Sequence, residues 1–308
     1  MKKILVLADM EGCNGITDMS NYSDCKSKME SDVNRIIGTL YQLCDDCEIH
    51  LADCHNDGKS LSEYALQNGI IFYEQFWKIQ DIGSYDAAYL VGFHPAKGHI
   101  GRFPHTIRPD IEALYLGETA IGEVSLLINW LSYYGIPVVF ISGDEAILKE
   151  ITWFPCVFWA TNPLNIINKD DLEQKLHQSL MQENTHVIYD KSPVSIQLIN
   201  DKYLEFLPSE IFTVQNNRIV FSDTTALMNS ILELCVFLNI ADSYQLRRIQ
   251  HLHRIIKKNH ISLHNNPHLE NLFYHTEWRA LSDSDVYLFY QEILSQIITT
   301  QGDQYANV

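Results

Sequence analysis

Basic residues are scarce in this 308-residue chain: 22 Lys and Arg stand against 39 Asp and Glu, a formal charge of −17 with His neutral. That deficit argues against binding a phosphate backbone, whose affinity comes from clustered cations. Glycine and proline are also sparse, 14 and 9 residues, and 46% of the chain is hydrophobic, which excludes collagen-like and disordered chains. Long apolar runs are missing. The N-terminal Ile4-Leu5-Val6-Leu7-Ala8 follows two lysines as a signal segment would, but Asp9 and Glu11 interrupt it far short of a membrane span or an export signal. It reads as a buried first strand. The cysteines are seven, an odd number with no disulfide framework, which points to a reduced cytoplasmic setting. Cys44 and Cys47 form a lone C-x-x-C at a helix-to-strand junction, without the second pair that a metal site would need. There is no internal repeat and no low-complexity tract.

What is present is a regular alternation. Candidate strands Ile4–Ala8, Glu48–Ala52, Ala87–Val91, Ala113–Leu116 and Pro137–Ser142 are separated by helical patterns over Lys26–Leu43, Leu61–Gln67 and Thr119–Tyr134. In the first of these, Met29, Val33, Ile36, Ile37, Leu40 and Leu43 recur at helical spacing. This predicts an α/β fold with a largely parallel layered sheet. Length allows one large domain or two modest ones, at roughly 100–200 residues each. The second half reads as smaller and α+β: a helix over Asp170–Met181, a strand over Val194–Ile199, a hairpin over Phe212–Phe221 turning at Asn216-Asn217, and a buried helix over Thr225–Ile240. We expect a catalytic α/β domain over residues 1–165, a second subdomain over 166–241 and a helical C-terminal extension over 242–308.

The acids and histidines fall where the strands end. Asp9 and Glu11 follow the first strand and, two apart on an extended backbone, share one side. Asp53 and His55 follow the second; His94 follows the strand ending Leu90-Val91-Gly92; His105 lies beyond a Gly- and Pro-containing loop; Glu123 opens a helix; Asp144 follows Ser142-Gly143. Each has an ordinary structural explanation, Asp144 as a helix cap being the plainest. Together they collect on one sheet edge, where α/β sheets bind ligands. Mixed Asp, Glu and His donors suit zinc and neighbouring divalent ions, and the set is large enough for two metals sharing a bridging carboxylate.

The same residues carry a resemblance. Ala8-Asp9-Met10-Glu11-Gly12, Asp53-Cys54-His55, Gly92-Phe93-His94, Pro104-His105-Thr106, Ile121-Gly122-Glu123 and Ser142-Gly143-Asp144 resemble, in order, the zinc-dependent D-aminopeptidase family of dipeptide-transport-associated bacterial metallopeptidases. The likeness runs from residue 1 to about residue 240. It implies that Asp9 bridges two zinc ions, that Glu11, His55, His94 and Glu123 complete their ligands, and that His105 is catalytic and not a ligand. Zinc is the metal implied, with manganese or another divalent ion left open by the ligand types. The resemblance further implies hydrolysis of the amide next to a free amino terminus, in short peptides or aminoacyl amides with D-residues, by a ring-like homo-oligomer. Such ions lower the pKa of bound water to about 7 and polarise a carbonyl, and an imidazole at His105 could move the proton. Asp53 and Asp144 would orient the ligands.

Two departures stand out. Residues 158–167 carry no basic side chain where the family has Lys and Arg, which bears on substrate preference. Residues 242–308 extend past the family's usual end with His251, His253, His260, His264, His268 and His275 and a cluster of Arg247, Arg248, Arg254, Lys257 and Lys258. That extension reads as a helical appendage or as a docking surface for an acidic partner. The alternative to an amide hydrolase is a metal-binding or scaffold protein that keeps the peptidase fold. Neither nucleic acid nor membrane is an expected partner.

Overall fold

A computed structural model of the chain describes residues 1–79, 81–182, 189–207 and 212–240. The extension expected over 242–308, with its histidines, basic cluster and docking role, lies outside the described residues. Two compact units are present, Met1–Pro193 and one that begins at Val194.

The first unit is built on strands β1 (Lys2–Ala8), β2 (Cys47–Asp53), β3 (Ile71–Tyr73), β4 (Ala87–Phe93), β5 (Ile111–Leu116), β6 (Thr119–Ile121), β7 (Val138–Gly143) and β8 (Val157–Ala160), with helices α1 (Tyr22–Leu43), α2 (Glu123–Tyr133) and α3 (Lys169–Leu180). Six strands form one sheet in the order β3-β2-β1-β4-β7-β8, every pair parallel. The chain winds outward from β1 to β3, returns to β4 beside β1, and winds outward again. A crevice at the carboxyl ends of β1 and β4 follows from that reversal. Register aligns the strand exits: Ala8 pairs with both Asp53 and Val91, Phe93 with Gly143, and Gly143 with Ala160.

β1 is the central strand, and Ile4 through Ala8 are all fully buried. Met29, Val33, Ile36, Ile37 and Leu40 of α1 and Leu172 and Leu176 of α3 pack in the same core. Burying each such side chain contributes about 1.5–3 kcal/mol. The boundary expected between residues 165 and 166 falls in a loop inside the first unit, because α3, which follows it, supplies core residues there.

Two helical expectations need correction. Over Leu61–Gln67 only a 3-10 turn forms, Glu63–Ala65. Side chains take the backbone bonds a helix would use: Gln67 N donates to Asn34 Oδ1, and Asn34 Nδ2 to Ala65 O. Over Thr119–Tyr134 the first residues are β6, paired antiparallel with β5, and α2 starts only after extended Gly122.

In the second unit, β9 (Val194–Leu198), β10 (Thr213–Gln215) and β11 (Arg218–Phe221) precede α4 (Thr224–Ile240), and β11 pairs antiparallel with both other strands. The β10–β11 turn is made by Asn216 and Asn217 at φ 50° and 58°. Asparagine tolerates this left-handed pair, the signature of a type I′ hairpin. Among the described residues no helix is long and apolar enough to cross a membrane.

Candidate metal centre

The crevice between β1 and β4 is closed by backbone. Asp9 N donates to Val91 O and Gly12 N to Gly92 O, both at 2.8 Å. At Gly12 an added Cβ would lie 1.7 Å from Phe93 O, so the turn Asp9-Met10-Glu11-Gly12 can pass β4 only with glycine there. Gly92, at φ +77°, meets Asp9 O in the same way. These two glycines bring Asp9 and Glu11 against the residue that leaves β4, His94.

Six expected side chains converge. His94 Nε2 lies 3.5 Å from both Asp9 Oδ2 and Glu123 Oε1. Glu11 Oε1 lies 3.2 Å from His55 Nε2 and 3.8 Å from His105 Nε2. The His94 and His105 rings stack at 4.0 Å, nearly parallel at 7°. Two triads, Asp9–His94–Glu123 and Glu11–His94–His105, each offer three ligand atoms within 4.8 Å of one another. His105, expected outside the ligand set, stands in the second triad; His55 reaches the cluster through Glu11.

Each imidazole is oriented from behind. His94 Nδ1 donates to Pro95 O at 3.0 Å and His105 Nδ1 to Phe103 O at 2.9 Å. A carbonyl only accepts, so Nδ1 carries a proton in both rings and Nε2 is the atom turned toward the carboxylates. His55 Nδ1 meets Ser60 Oγ at 2.5 Å, and Tyr22 stacks on its ring. His94 Nε2 thus faces two carboxylate oxygens, an arrangement that needs a proton or a cation between them. Asp9 Oδ2 and Glu11 Oε2 are buried and have no hydrogen-bond donor. Orphaned buried carboxylate oxygens are costly, and a divalent cation held by this oxygen and nitrogen set satisfies them. The residues present therefore fit a metal.

Electrostatics agree. Burial, then the charges of Glu11 and Glu123, push the Asp9 carboxyl well above its ordinary range. Burial pushes Glu11 up too, but the His55 hydrogen bond and the charges of His55, His94 and His105 outweigh it and hold Glu11 below the usual carboxylate range. His55 moves the other way: burial lowers it, and its bond to Glu11 more than reverses that.

The expected orienting acids differ in what they touch. Asp53 Oδ1 accepts from His55 N at 2.9 Å, and Oδ2 from Ser60 N and Leu61 N at 2.7 and 2.8 Å, so it shapes the loop that carries His55. Asp144 meets none of the six side chains; it accepts from Ala146 N and from Arg102. Strain sits beside His105. Phe103 and Ile107 have φ of 48° and 61°, and for a β-branched residue that region is an outlier. Ile107 N donates to Glu123 Oε1, which holds the strained turn and the helix-opening acid together.

Sequence reasoning missed Tyr22, Ser60, Arg102 and Glu150. Glu150 Oε1 accepts from Ala96 N at 2.7 Å, and its carboxylate packs on Gly122, between the segments that bear His94 and Glu123. Tyr22, Arg102 and Glu150 bond groups far away in the chain, Ser60 lies five residues after His55, and no local pattern marks any of the four.

Comparisons with known proteins place the chain. A D-aminopeptidase of Bacillus subtilis (strain 168) is 23% identical over 163 residues, 48% of this chain; the chain spans 58% of the length of that relative. The solved structure of the zinc-dependent D-aminopeptidase DppA from Bacillus subtilis, described as a self-compartmentalizing protease, superposes with a TM-score of 0.65 at 18% identity over 79% of this chain and 98% of that one. That likeness shows the fold. The D-aminopeptidase family model, peptidase M55, matches residues 1–160, the stretch that contains all six converging side chains. Matched over more than half of its residues, the chain belongs to the D-aminopeptidase family.

Proposed function

We propose that this protein is a metal-dependent peptidase that hydrolyses the amide next to a free amino group in short peptides or aminoacyl amides, with D-residues as the first substrates to test. The observation that carries this is the pair of buried oxygens without a hydrogen-bond donor, Asp9 Oδ2 and Glu11 Oε2, in carboxylates that lie against the Nε2 atoms of His94, His55 and His105. Asp9, Glu11, His55, His94 and Glu123 would hold two divalent ions, zinc first, with Asp9 between them. Bound there, such ions supply an activated water near neutral pH and polarise the scissile carbonyl.

The chain's own groups do the rest. Pro95 O and Phe103 O accept from Nδ1 of His94 and His105, so each ring turns its Nε2 toward the carboxylates. His105 is the most exposed imidazole of the set, at 26%, and its Nε2 faces inward to Glu11. It is the group placed to take a proton from the attacking water and return it to the leaving amine. Seven free thiols support a reducing, cytoplasmic setting. Exposed Ile100, Leu164 and Ile166 on loops at the site's edge of the sheet support assembly into a homo-oligomer, as the description of DppA suggests.

The purified protein should hold close to two equivalents of divalent metal and turn over some member of a panel of D- and L-aminoacyl amides and dipeptides with added Zn²⁺ or Mn²⁺. Asp9→Ala should lose most of the metal. Full occupancy in Asp9→Ala, or no turnover of any panel member by metal-replete protein, overturns the reading.

A further inference from the structure

One side chain joins four of the aligned strand exits. Arg102 comes from the loop after β4, between His94 and His105. Its Nε donates to Asp144 Oδ2 at 2.9 Å, after β7. Its Nη1 donates to Cys13 O at 2.9 Å and Ile16 O at 3.2 Å, after β1. Its Nη2 donates to Gly12 O at 3.2 Å and to Thr161 Oγ1 at 2.5 Å, the latter after β8. All five guanidinium N–H groups are thereby used. Arg102 N also donates to Asp144 Oδ2, and Thr161 Oγ1 donates to Gly12 O, which closes the ring.

The positions of these bonds matter. Gly12 is the neighbour of Glu11. Arg102 lies three residues before His105 and directly before Phe103, whose carbonyl aims the His105 ring. The other triad is held by different means: Asp9 through its N–H to Val91 O, His94 through Pro95 O, and Glu123 through α2 and Ile107 N. The β8 exit, residues 158–167, has no basic side chain of its own, and Arg102 brings a cation to it from another loop.

We propose that Arg102 is a positioning residue that sets the separation of Glu11 from His105 by tying the β1 and β4 exits to Asp144 and Thr161. The functional half of this proposal rests on the peptidase reading above; the structural half does not. Lysine cannot replace it, because one ammonium cannot span carbonyls and hydroxyl on several sides as a planar fork does.

Hydrogen exchange on the full-length protein as purified tests the structural half. In Arg102→Ala, residues 12–16 and 100–106 should exchange at least about ten times faster than in wild type, while residues 55–61, held by Asp53, and helix α2 keep wild-type rates. Thr161→Val, which removes two hydrogen bonds of the ring, keeps the other guanidinium bonds and keeps the shape, should show a smaller rise in the same two segments. Wild-type exchange in residues 12–16 of Arg102→Ala overturns the proposal, as does a rise spread equally over 55–61 and α2. For the functional half, kcat of Arg102→Ala on a D-aminoacyl amide should fall about 10–100-fold, the scale expected for a misplacement near 1 Å. KM and bound metal should stay near wild type, Arg102→Lys should recover little, and millimolar guanidinium should recover part. A kcat loss that simply tracks metal loss overturns it. If wild type turns over nothing, the peptidase reading fails and the exchange data alone decide the positioning role.

Discussion

Gly12→Ala is the sharpest probe of how the β1 exit meets β4. The new Cβ would sit 1.7 Å from Phe93 O, 2.4 Å from Phe93 C and 2.8 Å from Gly92 O. All three are backbone atoms, so no side chain can swing aside. Reaching ordinary contact requires the turn to withdraw by about 1.5 Å. The Gly12 N to Gly92 O bond, 2.8 Å in the native turn, does not survive that shift. A lost buried backbone bond costs about 1–3 kcal/mol and overpacking about 1–3 kcal/mol. A combined cost of about 4 kcal/mol lowers the melting temperature by about 8–16 °C for a unit of this size. Glu11, one residue away, moves with the turn, so turnover should fall by about 10²-fold or more and bound metal should drop. Thermal melts, metal content and turnover are measured beside Gly83→Ala, whose Cβ meets nothing within 4 Å. A Gly12→Ala protein that melts within about 2 °C of wild type and keeps its metal would refute the argument.

Two further outcomes follow from the bonds behind the site. Ser60→Ala removes the group that meets His55 Nδ1 at 2.5 Å and Tyr22 OH at 2.9 Å while leaving its N–H on Asp53; metal affinity, read by chelator competition, should fall about 10–100-fold, and an unchanged affinity refutes it. Burial pushes the Asp144 carboxyl up, but the N–H of Ala146 and the bonds and charge of Arg102 outweigh burial and hold it below the usual range. A lowered native pKa means stability that is fully present above the unfolded value of about 3.9 and is lost as pH falls through the native value. The stability gap between wild type and Asp144→Asn in urea should therefore hold steady from neutrality to about pH 5 and close below about pH 4; a gap of constant size down to pH 3 contradicts this.

Much of the first unit was legible because its signals are local. Five central strands and α1 follow from short apolar runs and a helical repeat, and the observed bounds differ from the expected ones by four residues or fewer at any end. β3, β6 and β8 were missed; with three or four residues each, they carry too few positions for a pattern. The helix expected over Leu61–Gln67 failed because Asn34, on another element, takes its backbone bonds. Five of the six site residues could be picked out because each closely follows a strand or opens a helix, and parallel strands put such residues on one edge; His105, in the loop after β4, was marked by its place in the ordered set of motifs. Arg102, Glu150 and Tyr22 could not, since each acts on groups brought near only by the fold, and Ser60, five residues after His55, carries no pattern that marks it.

By itself, then, the sequence determined which side chains stand at the strand ends and that they are of metal-binding type, because strand periodicity and parallel pairing are local consequences of residue order. Tertiary structure decided what the sequence leaves open: that β1 and β4 are neighbours, that Gly12 must pass within touching distance of Phe93, and that His94 Nε2 faces both Asp9 and Glu123. It also decided that a single guanidinium binds the exits of β1, β7 and β8 to the loop after β4. Those relations depend on distances between residues up to 149 positions apart, and only packing of the whole sheet sets them.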